Sequence, residues 1–309
     1  MKIAVIDMGT NTFHLLIAEV NSRGYDILIK ERQAVKVGEK GINKGEITTE
    51  AWHRAITCIK DYREIIDQNQ VSKVFSTATS AIRNASNGIA LTKAIEEETG
   101  IKTAVISGSR EAELILVGVK EALDLGLKKN LIMDIGGGSI EFMIANQEET
   151  FWIQSFEMGG QRLIERFHKN DPILNEEIHS LNAYFDEILH DLRQACKIHL
   201  PKTLIGCSGT FDTLSDIYCE ANAISRVASA TEQPFEINSF EDIYQQLLQK
   251  NREERLAIPG MVDIRVDMIV VASVLIHYLI DQLAIDHIRV SSYALKEGIL
   301  FDALNQMMD

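Results

Sequence analysis

The sequence predicts an α/β protein of two domains, each built on a mixed β-sheet, with a functional cleft between the domains. Strand and helix patterns alternate along the chain, which is typical of α/β folds. The alternation starts afresh near residue 130, and 309 residues with 46% apolar content suffice for two cores. We therefore predict a first domain over residues 1–124 and a second over 125–309, with the C-terminal helix packing back on the first domain.

In the first half, a strand hairpin is followed by alternating helices and strands. Two apolar runs around a small-residue loop predict a β-hairpin over residues 1–20, and a turn at 21–24 leads to a third strand. A polar loop is predicted at 83–88. The other elements expected here are strands at 25–30, 73–77 and 102–106, a helix of about 20 residues opened by residues 47–50, and helices at 88–99 and from 107–109 to about 126.

The second half repeats the opening hairpin, beginning at Asn130. Its longest apolar stretch, residues 268–280, is too short to span a bilayer and is predicted to be a buried helix. We expect residues 221–240 to be irregular. The other elements expected here are strands at 202–205 and 287–291, and helices at 159–168, 175–199, 241–256, 268–283 and 295–308.

Two short stretches share one pattern, in which a strand ends in Asp, a small-residue loop follows, and an apolar strand returns. Residues 3–18 and 131–145 match when Asp7 is aligned with Asp134. Small residues let the backbone approach a ligand closely and reach positive φ, and successive N–H groups form an anion-binding nest. Either loop alone could be an ordinary hairpin turn, but two matched loops favour a pair of phosphate-binding loops facing each other across a cleft. The phosphate-binding residues predicted in them are Gly9, Thr10, Asn11, Thr12, Gly136, Gly137, Gly138 and Ser139.

Acidic residues accompany these loops. Asp7 and Asp134 lie where the strands end and are suited to hold Mg²⁺ or its waters. Glu141, on the returning strand, either faces solvent or lines the cleft. Glu111 lies in the first turn of a helix, where an acid commonly complements the helix dipole. The alternative is that Glu111 is a general base for a water that attacks phosphorus.

A third glycine-rich turn and several cations are further candidates for phosphate contact. Residues 206–210 follow a strand and open a helix, whose N-terminus offers free N–H groups, although the Lys of a Walker A loop is missing. The contacts predicted there are Gly206, Ser208, Gly209 and Thr210. The candidate cations, for each of which a solvated position is the commoner outcome, are Arg83, Arg110, Arg265 and Lys296.

Composition limits the partners. A net charge of −14 argues against a nucleic-acid-binding face, so a polyanion would have to be held by local N–H groups, a few cations and bound metal. The four cysteines form no CxxC pair, which fits a reducing, cytoplasmic setting. The N-terminus shows no basic or apolar leader, and no membrane partner is expected.

Six motifs, in this order and spacing, resemble the exopolyphosphatase/guanosine pentaphosphate phosphohydrolase (Ppx/GppA) family within the actin, Hsp70 and sugar-kinase superfamily. The motifs span nearly the whole chain. The resemblance implies two actin-like, ribonuclease H-like domains with the active site between them. The motifs occupy residues 7–13, 77–85, 106–112, 134–141, 206–210 and 296–298.

The resemblance also implies a reaction, namely Mg²⁺-dependent (or other divalent-cation-dependent) hydrolysis of the terminal phosphate of inorganic polyphosphate. It implies that Glu111 activates water, that Asp134 and Glu141 support catalysis and hold metal together with Asp7, and that Arg83 contacts phosphate. A homodimer is expected from the family alone. The alternatives left open are a guanosine pentaphosphate 5′-phosphohydrolase, a phosphotransferase or ATPase of the superfamily, and a non-catalytic polyphosphate or nucleotide sensor.

The chain departs from the family pattern at three positions. Arg110 stands where the family commonly has Glu, and His14 and Lys296 stand where it often has Arg. Because Lys is a point charge rather than a bidentate fork, we expect a looser phosphate contact at Lys296. The length resembles the short, two-domain members, which predicts a weaker grip on long chains.

Overall fold

Two mixed β-sheets, one from each half of the chain, form the framework of the protein. The computed structural model describes residues 1–21, 24–227 and 229–308, so Ser22 and Arg23 of the turn predicted at 21–24 lie outside the described residues. In the first sheet the strand order is β3-β2-β1-β4-β5. Its strands are β1 (Lys2–Met8), β2 (Phe13–Asn21), β3 (Gly24–Gln33), β4 (Lys73–Ala78) and β5 (Thr103–Val105).

The second sheet repeats the order of the first. Its strands are β6 (Asn130–Ile135), β7 (Ile140–Ala145), β8 (Thr150–Phe156), β9 (Thr203–Cys207), β10 (Glu232–Gln233) and β11 (His287–Ser291). The order is β10-β11-β9-β6-β7-β8. In both sheets the first three strands form an antiparallel meander, and two later strands add in parallel beside the first strand of that meander, β4 and β5 in the first sheet and β9 and β11 in the second. The second sheet has one further strand, β10, which pairs antiparallel with β11 at the edge. The repeat seen in the hairpins therefore extends across the whole sheet.

The repeat also extends to the register of individual residues. Asp7 pairs with His14, which pairs with Arg32. At the matching positions of the second sheet, Asp134 pairs with Glu141, which pairs with Ser155. Both meanders carry a register irregularity at the matching place, between Ile17 and Ala18 and between Ile144 and Ala145. Because cross-strand partners lie on the same face of a sheet, each meander presents one row of three side chains beside its loop.

The helices cover the sheets and largely follow the sequence prediction. Side-chain caps open three of the described helices: Thr48 accepts a hydrogen bond from the Ala51 N–H, Ser107 accepts one from the Arg110 N–H, and Asn251 accepts one from the Glu254 N–H. The helices are α1 (Thr49–Gln68), α2 (Ser80–Asn84), α3 (Gly88–Thr99), α4 (Gly108–Ala122), α5 (Gly160–Phe167), α6 (Asn175–Ile188), α7 (His190–His199), α8 (Ser208–Ala221), α9 (Phe240–Gln249), α10 (Arg252–Leu256), α11 (Met268–Leu283) and α12 (Leu295–Met308).

Several local predictions were wrong. The predicted polar loop at 83–88 begins inside α2, a helix of 5 residues that is too short to show apolar periodicity. The predicted helix at 241–256 is two helices, because Asn251 and Glu254 form a capping box that starts α10. The predicted helix at 175–199 is likewise divided, at Leu189, and strand β8 had no counterpart in the prediction.

Two helices pack between the sheets. α4 packs against β7 and β8 of the second sheet, while α12 packs against α4 and against β1 of the first. Their backbones approach closely at two glycines: a Cβ on Gly298 would lie 1.8 Å from the Leu114 carbonyl oxygen, and one on Gly118 would lie 2.3 Å from that of Ala294. The buried residues of α4 and α12 form one apolar cluster with both sheets. The boundary between 124 and 125 stays a prediction.

Each sheet also has a core of its own. On the first sheet it includes residues of β1, β2 and α1, and on the second it includes residues of β6, β7, α8 and α11. The most apolar helix, α11, is buried along most of its length, as predicted. None of the described helices is both long and apolar enough to cross a membrane.

Candidate active site

A cleft of about 130 Å³ lies between the two sheets, where β1 and β6 end. Both small-residue loops line it, as the sequence predicts for a pair of facing loops. The first half of the chain contributes Asp7, Gly9, Thr10, Asn11, Thr12, His14, Arg32, Thr79, Ser80 and Glu111. The second half contributes Asp134, Ile135, Gly136, Gly137, Gly138, Ser139, Glu141, Ser208, Gly209, Asp212, Arg265, Ala294, Leu295 and Lys296.

The loop glycines are needed for close packing rather than for unusual backbone angles. The expectation that they reach positive φ is wrong, because the described glycines with positive φ all lie elsewhere in the chain. A Cβ on Gly9 would lie 2.9 Å from the Thr12 carbonyl oxygen, and one on Gly136 would lie 2.9 Å from that of Ser139. The two loops therefore share the same tight turn.

The remaining two glycines let the second loop lie directly against the first. A Cβ on Gly137 would lie 2.9 Å from Asn11 Cγ. One on Gly138 would lie 2.5 Å from both Thr10 Oγ1 and Ser80 Oγ. Contact between the loops thus explains why three consecutive glycines occur here, although the turn by itself would not require three.

The start of α5 orients the glycine loop. The carbonyl oxygens of the three loop glycines accept hydrogen bonds from three successive N–H groups at the start of α5. The Gly136 carbonyl accepts from residue 160 at 2.9 Å, that of Gly137 from residue 161 at 2.8 Å, and that of Gly138 from residue 159 at 3.0 Å. In a trans peptide the C=O and the following N–H point in opposite directions. The N–H groups that follow these carbonyls therefore point away from α5, as an anion-binding nest requires.

Five carboxyl groups line the cleft, and burial raises the pKa of each; they belong to Asp7, Glu111, Asp134, Glu141 and Asp212. Burial, with a contribution from Asp134, raises the pKa of Asp7 to about 7 against the opposing charge of Lys296. Burial raises the pKa of Asp134 to about 6, although the Ser208 hydroxyl donates to its Oδ2 at 2.7 Å and lowers it. Burial and the charges of Glu111 and Asp134 hold the pKa of Glu141 well above its usual range. Carboxyl groups that are buried this close together are more stable when they are protonated or when a cation is bound beside them.

Glu111 is held by Arg83. The Arg83 guanidinium donates to Glu111 Oε2 at 2.8 Å, to the Ile106 carbonyl at 3.1 Å and to Glu157 Oε1 at 2.8 Å. Burial raises the pKa of Glu111 to about 8, with Arg83 opposing the shift and Asp7 adding to it. Arg83 thus lies behind Glu111 and does not line the cleft itself, and its predicted phosphate contact stays a prediction.

Basic side chains also line the cleft, on the side away from Glu111. Lys296 Nζ lies 3.2 Å from Glu297 Oε2, and its pKa is raised: burial opposes the shift but is outweighed by Glu297 and Asp212. Arg265 is 9% exposed, and its Nε has no hydrogen-bond partner among the described residues. Burial lowers the pKa of His14 well below its usual range, and Lys296 and Arg265 lower it further, so His14 is neutral.

Only part of the glycine-rich turn at 206–210 lines the cleft. Ser208 and Gly209 line the cleft, and Ser208 adopts φ 66°, a left-handed conformation that is costly for Ser and often marks a functional site. Gly206 lies within β9, where a Cβ would fall 2.0 Å from Phe211 Cδ1. Thr210 is buried and does not line the cleft.

Sequence reasoning missed several residues that line the cleft. Aligning the two hairpins would have placed His14 on Glu141, since both follow a matched Asp by the same interval. The strand register adds Arg32 beside His14. Thr79 and Ser80 follow β4 as Ser208 follows β9, the matching strand of the second sheet. Asp212, one turn into α8, gave no sequence signal. Arg110, a candidate cation, instead pairs with Glu113 and Asp302.

The acidic residues fit a magnesium ion that is shared with phosphate oxygens. Asp7 Oδ1 is buried without a hydrogen-bond partner, and the other available ligands are carboxylate oxygens of Asp134 and Glu141. Within the described parts of the chain, no group of three or more His, Cys, Asp or Glu side chains would hold a metal by itself. Mg²⁺ typically uses one or two carboxylates, keeps several waters and binds substrate phosphates.

Comparison with known proteins identifies the family of the chain. The family model of the Ppx/GppA phosphatase family matches residues 16–307. The chain belongs to this family. The predicted resemblance to this family is thereby confirmed, and so is the prediction of an α/β fold with two mixed sheets. The prediction of a phosphatase-type hydrolase is confirmed at the level of the family.

Individual relatives match most of the chain. The crystal structure of an exopolyphosphatase from Cytophaga hutchinsonii is 44% identical, with a TM-score of 0.96 over 99% of this chain and 98% of that one. A bifunctional 3-dehydroquinate synthase/phosphatase from Fusobacterium nucleatum is 32% identical over 93% of this chain, which spans only 44% of that protein. Exopolyphosphatase 1 from Mycobacterium leprae is 24% identical over 100% of this chain and 91% of its own length.

Proposed function

We propose that this protein is an exopolyphosphatase that hydrolyses the terminal phosphoanhydride of inorganic polyphosphate with Mg²⁺. The observation that carries the proposal is the contact of two equivalent small-residue loops across one cleft, beside the carboxyl groups of Asp7, Asp134, Glu141 and Glu111. Phosphoryl transfer needs chiefly positioning and stabilisation of charge. The paired loops and the acidic group would supply both.

In the proposed reaction the N–H groups of the two loops hold the terminal phosphate. Glu111 orients a water molecule and accepts its proton, while Arg83 keeps the Glu111 carboxylate in place and favours its ionised form. Asp7 and Asp134, with Glu141 behind them, would hold Mg²⁺. When bound, Mg²⁺ would neutralise phosphate oxygens and the negative charge of the leaving group.

The lining of the cleft favours polyphosphate over guanosine pentaphosphate. Among the described residues that line it, none is Phe, Tyr or Trp, and only Ile135, Ala294 and Leu295 are apolar. A guanine base would find no Phe, Tyr or Trp ring among these residues to stack on, an interaction worth about 1–3 kcal/mol per base where it occurs. The same argument disfavours an adenosine pocket, and with it the ATPase alternative.

The decisive experiment is phosphate release by the purified protein from polyphosphate chains of several lengths, from guanosine pentaphosphate and from ATP, each with and without Mg²⁺. We expect release from polyphosphate that requires the metal. Binding of polyphosphate without phosphate release would support the sensor alternative, and preferential hydrolysis of a nucleotide would overturn the proposal. A homodimer and a cytoplasmic location stay predictions from the sequence.

A further inference from the structure

The two equivalent rows of side chains beside the loops carry opposite chemistry. On the second sheet the row runs Asp134, Glu141, Ser155. At the matching positions of the first sheet it runs Asp7, His14, Arg32. The repeat makes the two rows structurally equivalent. Beyond its Asp, however, the row of the second sheet continues with an acid, Glu141, whereas the row of the first sheet continues with His14 and the basic Arg32. The cleft therefore has two chemically different ends.

The two helices between the sheets increase this difference. The N-terminus of α4, which carries Glu111, lies over the acidic row, because a Cβ on Gly108 would lie 2.6 Å from Ser155 Oγ and the charge of Glu111 acts on Glu141. The N-terminus of α12, which carries Lys296, lies over the other row.

The contacts of α12 place it there. Its Glu297 accepts from Lys30 of β3 at 3.2 Å. Lys296 also lies within electrostatic reach of His14. Glu111 and Lys296 thus mark opposite ends of one cleft.

Arg265 extends the cationic end. It lines the cleft, is 9% exposed, and keeps its Nε without a hydrogen-bond partner among the described residues. Its guanidinium lies against Gly209 at the start of α8, where a Cβ would fall 2.2 Å from Nη2. An unpaired, buried guanidinium beside a helix N-terminus is suited to an anionic oxygen.

We propose that the polyphosphate chain lies in one direction in this cleft, with its terminal phosphate at the Glu111 end and the rest of the chain leaving past Lys296, Arg265 and Arg32. This inference rests on the proposed function. In an in-line displacement the water and the leaving oxygen lie on opposite sides of the phosphorus. The water oxygen bonds to the terminal phosphorus and its proton passes to Glu111. The bridging P–O bond breaks, and its electron pair stays on the shortened chain beside the cations.

Arg32 is the specificity-determining residue in this arrangement. It lies on β3, the edge strand of the first sheet, and is exposed while still lining the cleft. A chain of two or three phosphates would be held by the loops, Lys296 and Arg265. Only longer chains would reach Arg32, so its contribution should depend on chain length.

The test is kcat/KM of Arg32→Gln for tripolyphosphate and for long chains. We expect a loss of about three- to tenfold on long chains and less than about twofold on tripolyphosphate, as suits one exposed charge. Arg63→Gln is the matched control, because it removes the same charge from a partly exposed arginine on α1 that pairs with Asp67. It should leave both substrates unaffected.

Three results would overturn the inference while leaving the proposed function intact. These are an equal effect of Arg32→Gln at all chain lengths, an equal effect of Arg63→Gln, or a length-dependent loss in Arg83→Gln, which would place the chain at the Glu111 end. Absence of phosphate release from every chain length by the unaltered protein would instead refute the proposed function.

Discussion

Replacing Asp7 with Asn should stabilise the metal-free protein at alkaline pH while abolishing its proposed activity. Asp7 Oδ1 is buried without a hydrogen-bond partner, and Asp134 lies within electrostatic reach. The ionised carboxylate is therefore unfavourable in the folded protein unless a cation is bound. Asn has the same shape and carries no charge, so it removes this cost.

The size of the effect follows from the pKa of Asp7, which rises from 3.8 to about 7 on folding. Between these two pH values the folded state keeps a proton that the unfolded state has lost. The free energy of unfolding therefore falls as pH rises, by about 1.36 kcal/mol per pH unit. Through Asp7, the free energy of unfolding is therefore about 3 kcal/mol lower at pH 7 than at pH 5. Above pH 7 the contribution of Asp7 no longer changes with pH.

The assay is urea denaturation in the presence of a chelator at pH 5 and pH 8. The unaltered protein should lose about 3 kcal/mol more between these pH values than Asp7→Asn does. Asp286→Asn, which removes an exposed charge, serves as the control and should behave like the unaltered protein. Added Mg²⁺ should stabilise the unaltered protein at pH 8 more than Asp7→Asn. Equal pH dependence of the two proteins would refute the reasoning.

Three further predictions concern the loops and the proposed base. Glu111→Gln should lower kcat for polyphosphate by about 10²–10⁴, and full activity would show that Glu111 is not the base. Arg83→Gln removes the charge that lowers the pKa of Glu111, so the rise of kcat with pH should move to higher pH, as a series of rate measurements from pH 6 to 10 would show. Gly138→Ala should raise KM and cost about 1–3 kcal/mol of stability, because its Cβ would lie 2.5 Å from Thr10 Oγ1 and Ser80 Oγ. An unchanged KM would show that contact between the loops is not needed for binding.

The paired loops could be predicted from the sequence because their signal is local. An apolar strand, an Asp and a run of small residues lie within about ten positions, and the second copy repeats the same order. The convergence of Asp7 and Asp134 then follows from the fold class, since matching strands of a repeated sheet end at the same cleft. The fold class and the paired loops could therefore be predicted without knowledge of contacts between residues that are distant in sequence.

The cationic end of the cleft depends on contacts that local sequence does not reveal. Arg32 reaches the cleft only through the register of β3 with β2. Arg265 does so because Gly209, on a different element, leaves room for its guanidinium. Arg83 illustrates the converse: its motif could be identified in the sequence, but its partners Glu111 and Glu157 hold it behind Glu111 rather than in the cleft.

In the proposed function two equivalent loops, one from each half of the chain, hold one phosphate chain between them. The most direct test is a crystal structure of Glu111→Gln with tripolyphosphate and Mg²⁺. We expect phosphate oxygens within hydrogen-bond distance of backbone N–H groups from both residues 9–12 and residues 136–139. A phosphate chain bound by only one loop, or outside the cleft, would contradict the account.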